Sequence, residues 1–485
     1  MYDVIDKFEK NVQNNPCALC ICSNNVELTY KQFWDIVIHY FEQINSVNKP
    51  KRILIDSRKS IHTIAAMFAA LKAKIVYCVL NQDVSVHNRQ RIISTYSPDM
   101  IFISSMDGHL SGVSCGKDVN NESFGDNLEE AAYVIFTSGS TGVPKGVIIS
   151  RQSLNHFCET ALGELKIKME DRLSQYPELS FDLSVVDVFG ALTNGASLHL
   201  ITKQLDKLAP ASFIENNGIT IWNCVPTVLK QLQKQANLTK IDLSSLRKIN
   251  VCGENLSATD ATWILENTNV KLCNTYGPTE ATVSMTFVEL DEKNYKNHIY
   301  KGSVEIGLPT VGMDIGKIIN DNEFISYKEL NDGDEFEGVI VGEQVGQGYL
   351  NDIHLTDKKY INLSIGFSQA SVRGFITGDL FMKHNGMLFF LNRIDNQVKI
   401  KGNRVELGSI ESAVFEEGFG ACVVLYIDGT VTIFSEILRA EKIGLLDSRM
   451  KEILPTYMFP INYRCIDRFP RNTSDKIDIT QLASY

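Results

Sequence analysis

Short apolar, β-branched runs alternate with longer segments of helical period along the first 300 residues of this chain. The run Ile53–Ile55 is followed by a helical pattern from Ile61 to Lys72 and then by a second apolar run at 75–80. The same order returns between residues 197 and 235. Strand, helix and strand in this rhythm predict a parallel sheet covered by helices.

The pattern changes between about residue 300 and residue 390, where glycines interrupt strand-like runs such as 338–342 and 387–391. These runs predict a β-rich portion. The short remainder has helix and strand signals of its own and the size of a small domain. We therefore predict an α/β fold, with a large N-terminal region (1–394) of α/β subdomains plus a β-rich portion, and a small α+β C-terminal domain (395–485).

Composition and charge exclude several classes of function. The 485 residues are 44% hydrophobic and 22% charged, as in ordinary folded proteins. A formal net charge of -11 gives no general attraction to nucleic acid or to an anionic membrane. The longest apolar stretch, 64–80, contains Lys72 and Lys74, and residues 1–6 do not resemble a signal peptide. We expect neither a nucleic-acid partner nor a membrane partner.

The 11 cysteines are scattered from Cys17 to Cys465 without the spacing of a disulfide framework. This distribution predicts free thiols and a reducing compartment, hence the cytoplasm. Cys17, Cys20 and Cys22 approach the spacing of metal ligands, but they lie in a strand-like run with no second Cys/His pair nearby. Packing is therefore favoured over zinc binding.

The sharpest local feature is an apolar strand that runs into a loop of hydroxyls and glycines, Tyr133–Gly146. Glycines let backbone N–H groups approach an anion, hydroxyls add donors and Lys145 adds positive charge, so the loop is suited to hold phosphate. It is not a Walker A loop, because no Ser or Thr follows the lysine. A Ser/Gly-rich surface loop is the alternative.

This loop resembles the phosphate-binding signature of the ANL superfamily, which comprises acyl-CoA synthetases, luciferases and the adenylation domains of nonribosomal peptide synthesis. Further signatures of that family follow in the expected order, and together they cover nearly the whole chain. They are Asn274–Glu280, Gly348–Leu350, Thr377–Leu380, Arg393–Gly402, Leu454–Pro460 and Lys476–Asp478.

The resemblance implies ATP-dependent adenylation with Mg²⁺. Tyr276 has a flat ring that would stack on adenine, and Asp379 would accept hydrogen bonds from both ribose hydroxyls. Thr279 would contact the phosphate under attack, and Glu280 would hold Mg²⁺, a hard cation that prefers oxygen ligands. The full set of implied nucleotide-binding residues is Thr137, Ser138, Gly139, Ser140, Thr141, Gly142, Lys145, Asn274, Tyr276, Gly277, Asp379 and Arg393.

The resemblance also implies that the C-terminal domain moves. Asp395 stands where the family has its hinge. The small domain would swing between an adenylating pose, with Lys476 in the site, and a thioester-forming pose that presents residues 399–402. In the first pose Lys476 would stabilise the negative charge that develops as a carboxylate attacks the α-phosphate.

Asp182 falls where amino-acid-activating members pair an aspartate with the substrate's α-ammonium; an N-cap or a surface acid is the alternative. The segments 180–187, 251–254 and 274–283 look most like D-alanine:carrier-protein ligases of the lipoteichoic-acid system. There Cys252 would narrow the pocket around a small side chain, with simple packing as the alternative. The other implied pocket residues are Leu183, Val186, Asn223, Asn250, Thr275, Val283 and Ser284.

We therefore expect activation of a small amino acid as aminoacyl-AMP, followed by transfer to the phosphopantetheine thiol of a separate carrier protein. The two asparagines, Asn223 and Asn250, make a small polar amino acid a competitor to alanine. An acyl-CoA or aryl-CoA ligase is an alternative, although its substrate would have to tolerate Asp182. A non-catalytic nucleotide-binding relative is another, because Ser474–Asp475 and Asn392 depart from the family's glycine-containing motifs.

Overall fold

The computed structural model describes residues 2–24, 26–47, 50–56, 58–81, 84–105, 109–115, 128–137, 144–239, 242–320, 322–365, 371–394, 397–471, 477 and 479–485. The chain forms two compact units. The first consists of residues 1–82, 96–135 and 146–394, and the second of residues 83–95, 136–145 and 395–485.

Strands and helices are numbered in chain order through the described ranges. The strands β1 to β29 are Leu19–Ser23, Val26–Thr29, Arg52–Asp56, Val76–Leu80, Met100–Ser104, Leu110–Ser114, Ala131–Thr137, Lys145–Ser150, Arg172–Gln175, Ser197–Leu200, Ile221–Cys224, Lys248–Val251, Lys271–Asn274, Thr286–Leu290, Ile299–Tyr300, Ser303–Val304, Leu308–Pro309, Met313–Ile319, Glu323–Ser326, Glu335–Gly342, Gly348–Tyr349, Tyr360–Ile365, Ser371–His384, Met387–Arg393, Gln397–Ile400, Asn403–Glu406, Val423–Ile427, Thr430–Ser435 and Ile461–Cys465. The helices α1 to α15 are Val4–Asn14, Tyr30–Ser46, Ile61–Lys72, Val86–Tyr96, Arg151–Glu159, Ala161–Glu164, Leu183–Thr193, Gln204–Leu208, Pro210–Asn217, Pro226–Thr239, Ala258–Asn267, Ile353–Lys359, Leu407–Glu416, Ile443–Ile453 and Ile479–Leu482.

The first unit contains a nine-stranded sheet in the order β17-β14-β13-β12-β11-β9-β10-β1-β2. Its central strands, from β13 to β1, pair in parallel, and the strands at both edges pair antiparallel. Helix α7 packs against β9, β10 and β11 and is buried on every side. This explains its nearly continuous apolar sequence, because a helix enclosed between layers has no face for water.

The first unit also contains a seven-stranded sheet, ordered β21-β8-β7-β4-β3-β5-β6, and a six-stranded sheet, ordered β20-β18-β19-β22-β23-β24. The last residues of β7 and the first residue of β8 belong to the second unit. Strands β3, β4, β5 and β7 pair in parallel. The six-stranded sheet is mostly antiparallel and forms the β-rich portion. The predicted α/β fold class is therefore confirmed.

The second unit contains the two-stranded sheet β25-β26 and the three-stranded sheet β27-β28-β29. Helices α13 and α14 contact one another, and their buried side chains belong to one apolar cluster, which includes Ile410, Val414, Leu446 and Met450. That residues 395–485 act as a mobile domain stays a prediction.

All eleven cysteines lie within the described ranges and are free thiols, as the sequence predicts. Cys20 and Cys22 are buried in β1, and in the part of the chain that the structure describes no three His, Cys, Asp or Glu side chains form a metal-binding group. Packing is therefore the better description of this run. No helix in the described ranges has the length and hydropathy needed to cross a bilayer.

Two glycines test how closely the backbone packs near the end of the nine-stranded sheet. Gly302 and Gly307 have nearly the same positive φ, +82° and +81°. A Cβ at Gly307 would lie 2.3 Å from the Phe287 carbonyl carbon, whereas one at Gly302 would meet nothing within 4 Å. We expect Gly307→Ala to lose about 2 kcal/mol more unfolding free energy than Gly302→Ala, as measured in urea. Equal losses would contradict the close backbone approach.

Candidate functional site

Most of the predicted site residues of the first unit follow the carboxyl ends of the parallel strands β9, β11, β12 and β13. From β9 the chain goes first to its neighbour β10 and then returns across β9 to form β11 on the other side. Ligands of parallel α/β sheets bind at such a change of direction, beyond the carboxyl ends of the strands. The residues brought to this edge include Asp182, Asn223, Cys252 and the segment 274–280.

Asp182 lies immediately before α7. Its side chain makes no capping hydrogen bond to the helix. Instead the hydroxyl of Thr279 donates to Asp182 Oδ2 at 2.5 Å. Asp182 therefore occupies the N-cap position of α7 without capping the helix through its side chain, and the structure joins this carboxylate to the loop that follows β13.

The loop after β13 depends on the absence of a side chain at Gly277. A Cβ there would lie 2.5 Å from Ser284 Cα and 2.8 Å from the Val283 carbonyl oxygen. Thr282 and Val283 both have positive φ, 55° and 71°, and the Thr282 hydroxyl donates to the Gln344 carbonyl at 2.7 Å. Left-handed backbone in a β-branched residue is strained and is retained mainly at functional sites.

Tyr276, Asp379 and Arg393 form a buried polar group. Asp379 and Arg393 are register partners on β23 and β24, and their side chains form an ion pair. Arg393 contacts Asp379 Oδ1, and Tyr276 Oη donates to Asp379 Oδ2 at 2.5 Å. The Tyr276 ring lies edge-on to the Phe381 ring, with 5.1 Å between the ring centroids. Burial, and then Asp379, raise the pKa of Tyr276, so the phenol is a neutral donor.

The Asp379 carboxylate retains the capacity that nucleotide binding would require. Tyr276 and Arg393 contact different oxygens, and each carboxylate oxygen has a second lone pair. Thr377 Oγ1 orients this segment by accepting from the Asp379 amide at 2.9 Å. Asn274, another predicted nucleotide residue, is buried at the end of β13 and donates to the Glu305 carbonyl at 2.7 Å.

Glu280 is buried in a 3₁₀ turn, Thr279–Ala281, and only 1% exposed. Tyr349 Oη donates to Glu280 Oε1 at 2.7 Å, and the Gly346 amide donates to the Glu280 carbonyl at 2.8 Å. Mg²⁺ is commonly held by one or two carboxylates together with substrate phosphates and water. A single oriented carboxylate fits that role.

The predicted amino-acid pocket residues are buried around the first turns of α7. Leu183, Val186, Cys252 and Val283 belong to one apolar cluster, and Thr275 and Ser284 are buried as well. The two asparagines form a chain of hydrogen bonds. Asn223 Nδ2 donates to the Leu183 carbonyl at 3.1 Å, and Asn250 Nδ2 donates to Asn223 Oδ1 at 2.8 Å.

Other predicted residues belong to the second unit or lie outside the described ranges. Thr137 ends β7, and Lys145 begins β8 with its Nζ 3.4 Å from Glu406 Oε1. The predicted site residues outside the described ranges are Ser138, Gly139, Ser140, Thr141, Gly142, Asp395 and Lys476. Ser474 and Asp475, which depart from the family motif, also lie outside these ranges.

The structure also shows a contact that sequence reasoning missed. Lys59 Nζ donates to the carbonyls of Gln175 at 3.1 Å and Tyr176 at 2.8 Å, where the chain leaves β9 toward Asp182. Burial lowers the pKa of Lys59 to about 7, although Glu178 acts in the opposite direction. No motif marks this lysine. Tyr349 and Thr377, by contrast, lie within the family motifs 348–350 and 377–380, although the sequence predicted no role for either residue.

The ion pair of Asp379 and Arg393 yields a stability prediction. Removing one partner of a buried pair leaves an uncompensated charge and costs about 3 to 5 kcal/mol. We expect Arg393→Met to lower the unfolding free energy by that order. Adding Asp379→Asn should restore part of the loss, because the charge is gone. Additive losses in the double variant, measured in urea, would show that the pair is not coupled.

The chain is similar to known proteins over most of its length. The family model for AMP-binding enzymes matches residues 8–350. D-alanine–D-alanyl carrier protein ligase of Staphylococcus aureus (strain Newman) is 28% identical over 507 aligned positions, covering 100% of this chain and 99% of that protein.

Two solved structures are also similar. The Vibrio cholerae adenylation domain AlmE, in complex with glycyl-adenosine-5'-phosphate, is 25% identical with a TM-score of 0.84, covering 100% of this chain and 97% of AlmE. PA1221, a nonribosomal peptide synthetase protein with adenylation and carrier (PCP) domains, has a TM-score of 0.80 at 20% identity, over 99% of this chain and 84% of its own, and so supports the fold alone. Because the family model spans most of the chain, the protein belongs to the AMP-binding enzymes of the ANL superfamily.

Proposed function

We propose that this protein activates a small amino acid with ATP, releases pyrophosphate, and transfers the aminoacyl group from AMP to the phosphopantetheine thiol of a carrier protein. The named activity of the S. aureus relative and the ligand of AlmE support this reaction. The free cysteines support a reducing compartment such as the cytoplasm.

One contact carries the proposal, the hydrogen bond from Thr279 to Asp182. Asp182 is a partly buried carboxylate, and such a group is suited to bind a cation such as an α-ammonium. Thr279 stands beside Glu280, the proposed Mg²⁺ ligand. The contact therefore brings an ammonium site next to a phosphate site, as a reaction between an amino acid and ATP requires.

In the first step a carboxylate oxygen of the amino acid attacks the α-phosphorus, and the bond from that phosphorus to the pyrophosphate oxygen breaks. Asp182 holds the ammonium, which takes the place of the Thr279 hydroxyl as its donor. The hydroxyl then turns its single proton to the reacting phosphate, and Asp379 accepts from the ribose hydroxyls. When bound beside Glu280, Mg²⁺ neutralises phosphate charge. We assign Lys476 to the same developing charge.

In the second step the carrier's thiolate attacks the aminoacyl carbonyl, and AMP leaves with the electron pair of the broken carbon–oxygen bond. We propose that residues 395–485 turn about Asp395 between the two steps. One chain thereby performs both half-reactions.

An acyl-CoA or aryl-CoA ligase is the less favoured candidate. A substrate without an amino group would bring no positive charge to the Asp182 carboxylate. The pocket residues around α7 are also small or compact, and four of them are packed in one apolar cluster.

Asp182→Asn tests the proposed function. The substitution keeps the shape and removes the charge, so we expect amino-acid-dependent ATP–pyrophosphate exchange to fall by about a hundredfold, the equivalent of roughly 3 kcal/mol. ATP binding, measured by calorimetry, should remain. The assay covers both enantiomers of each amino acid and includes fatty and aromatic acids.

Asp357→Asn, an exposed change on α12, is the matched control and should leave exchange intact. Exchange that depends on a fatty or aromatic acid and survives Asp182→Asn would establish the CoA-ligase alternative. Wild-type protein that binds ATP but forms no acyl-AMP with any carboxylate would indicate a non-catalytic relative.

A further inference from the structure

Three buried polar side chains follow one another behind the first turn of α7. Asp187 on α7, Asn223 on β11 and Asn250 on β12 are 1%, 1% and 2% exposed. Asn223 and Asn250 are register partners on neighbouring parallel strands. Buried amides are costly unless their hydrogen bonds are made, so their arrangement carries information about what binds there.

The orientation of the Asn223 amide is fixed by its neighbours. The Leu183 carbonyl can only accept a hydrogen bond, so the group 3.1 Å from it must be the Asn223 nitrogen, because two oxygens at that distance repel. Burial raises the pKa of Asp187 well above its usual range, and Lys59 and the Asn223 amide act in the opposite direction. The amide nitrogen of Asn223 thus faces α7.

This orientation then fixes Asn250. Asn223 presents its oxygen to β12, and only the Asn250 nitrogen can donate to it, at 2.8 Å. Asn250 Oδ1 is therefore turned away from Asn223. Within the described ranges this buried oxygen accepts no hydrogen bond. An unpaired buried acceptor costs about 1 to 3 kcal/mol, so the site is suited to a ligand that brings a donor.

The position of Asn250 identifies that ligand. The chain of contacts begins at Leu183, the residue after Asp182, and Asn250 lies near the end of β12, which Cys252 directly follows. The unpaired acceptor accordingly lies among the residues assigned to the amino-acid pocket, on the side proposed for the substrate's side chain.

We infer that Asn250 Oδ1 accepts a hydrogen bond from the side chain of the amino acid that this protein activates. The substrate class is then a small amino acid with a hydroxyl or N–H donor near its β-carbon. This inference rests on the proposed function and narrows it. It distinguishes the chain from the named ligands of its relatives, D-alanine and the glycyl group, whose side chains offer no donor.

Isosteric substrate pairs test the inference without altering the protein. Serine and 2-aminobutyrate differ by a hydroxyl in place of a methyl, and threonine and valine differ in the same way. A site built around a hydrogen bond rejects the analogue that lacks the donor. We expect kcat/KM in ATP–pyrophosphate exchange to favour the hydroxyl member of the more active pair by about tenfold or more, in the preferred enantiomer. A smaller ratio, or alanine or glycine activated as well as serine, would overturn the inference.

Asn250→Leu removes the acceptor at similar volume. We expect it to abolish the preference for the hydroxyl member, so that the ratio falls to about one or below. Asn255→Leu is the matched control, because the Asn255 amide donates to Ser303 Oγ on the surface, and its ratio should equal that of the wild type. Urea unfolding of each variant shows whether it folds; if Asn250→Leu does not, the substrate pairs alone decide.

The two proposals fail in different ways. If no amino acid supports exchange in the wild-type protein, the proposed function is wrong. If exchange occurs and the donor-bearing substrates are not preferred, only the role of Asn250 is wrong.

Discussion

Two carbonyl oxygens at the end of β9 accept hydrogen bonds from Lys59, where the chain turns toward the proposed amino-acid site. Lys59 follows β3 of the seven-stranded sheet, whereas β9 belongs to the nine-stranded sheet. The lysine therefore links two sheets at the point where the chain turns toward Asp182. A single side chain thus joins two layers a few residues before α7, the helix on which Leu183 and Val186 are proposed to line the pocket.

The site uses buried charge in two ways. Asp379 is already paired with Arg393 within the protein and accepts a hydrogen bond from Tyr276, so its carboxylate is oriented before any nucleotide binds. Asp182 accepts a hydrogen bond from the neutral hydroxyl of Thr279. The first arrangement suits a constant ligand such as adenosine. The second places a carboxylate beside the phosphate site, where the amino acid would bring the positive charge.

Much of this architecture could be predicted from the sequence because it depends on local pattern. The helical period from Ile61 to Lys72 coincides with α3, and the apolar run at 53–55 lies within β3. The order of the motifs indicated the family. Contacts between distant segments could not be predicted, because Lys59 is more than a hundred residues from the carbonyls that it binds. Neither could the directions of two amides: that of Asn223 is set by the Leu183 carbonyl, and that of Asn250 by the Asn223 oxygen.

Different segments of the chain are assigned to the substrate's side chain and to adenosine, and this separation has an evolutionary consequence. Side-chain recognition is assigned largely to α7, β11 and β12, whereas adenosine recognition is assigned to the loop after β13 and to β23 and β24. Substitutions at positions such as Val186 or Asn250 can therefore accumulate without disturbing Tyr276 or Asp379. A lineage of such proteins can change its preferred amino acid by drift in a few positions while its ability to use ATP is inherited intact.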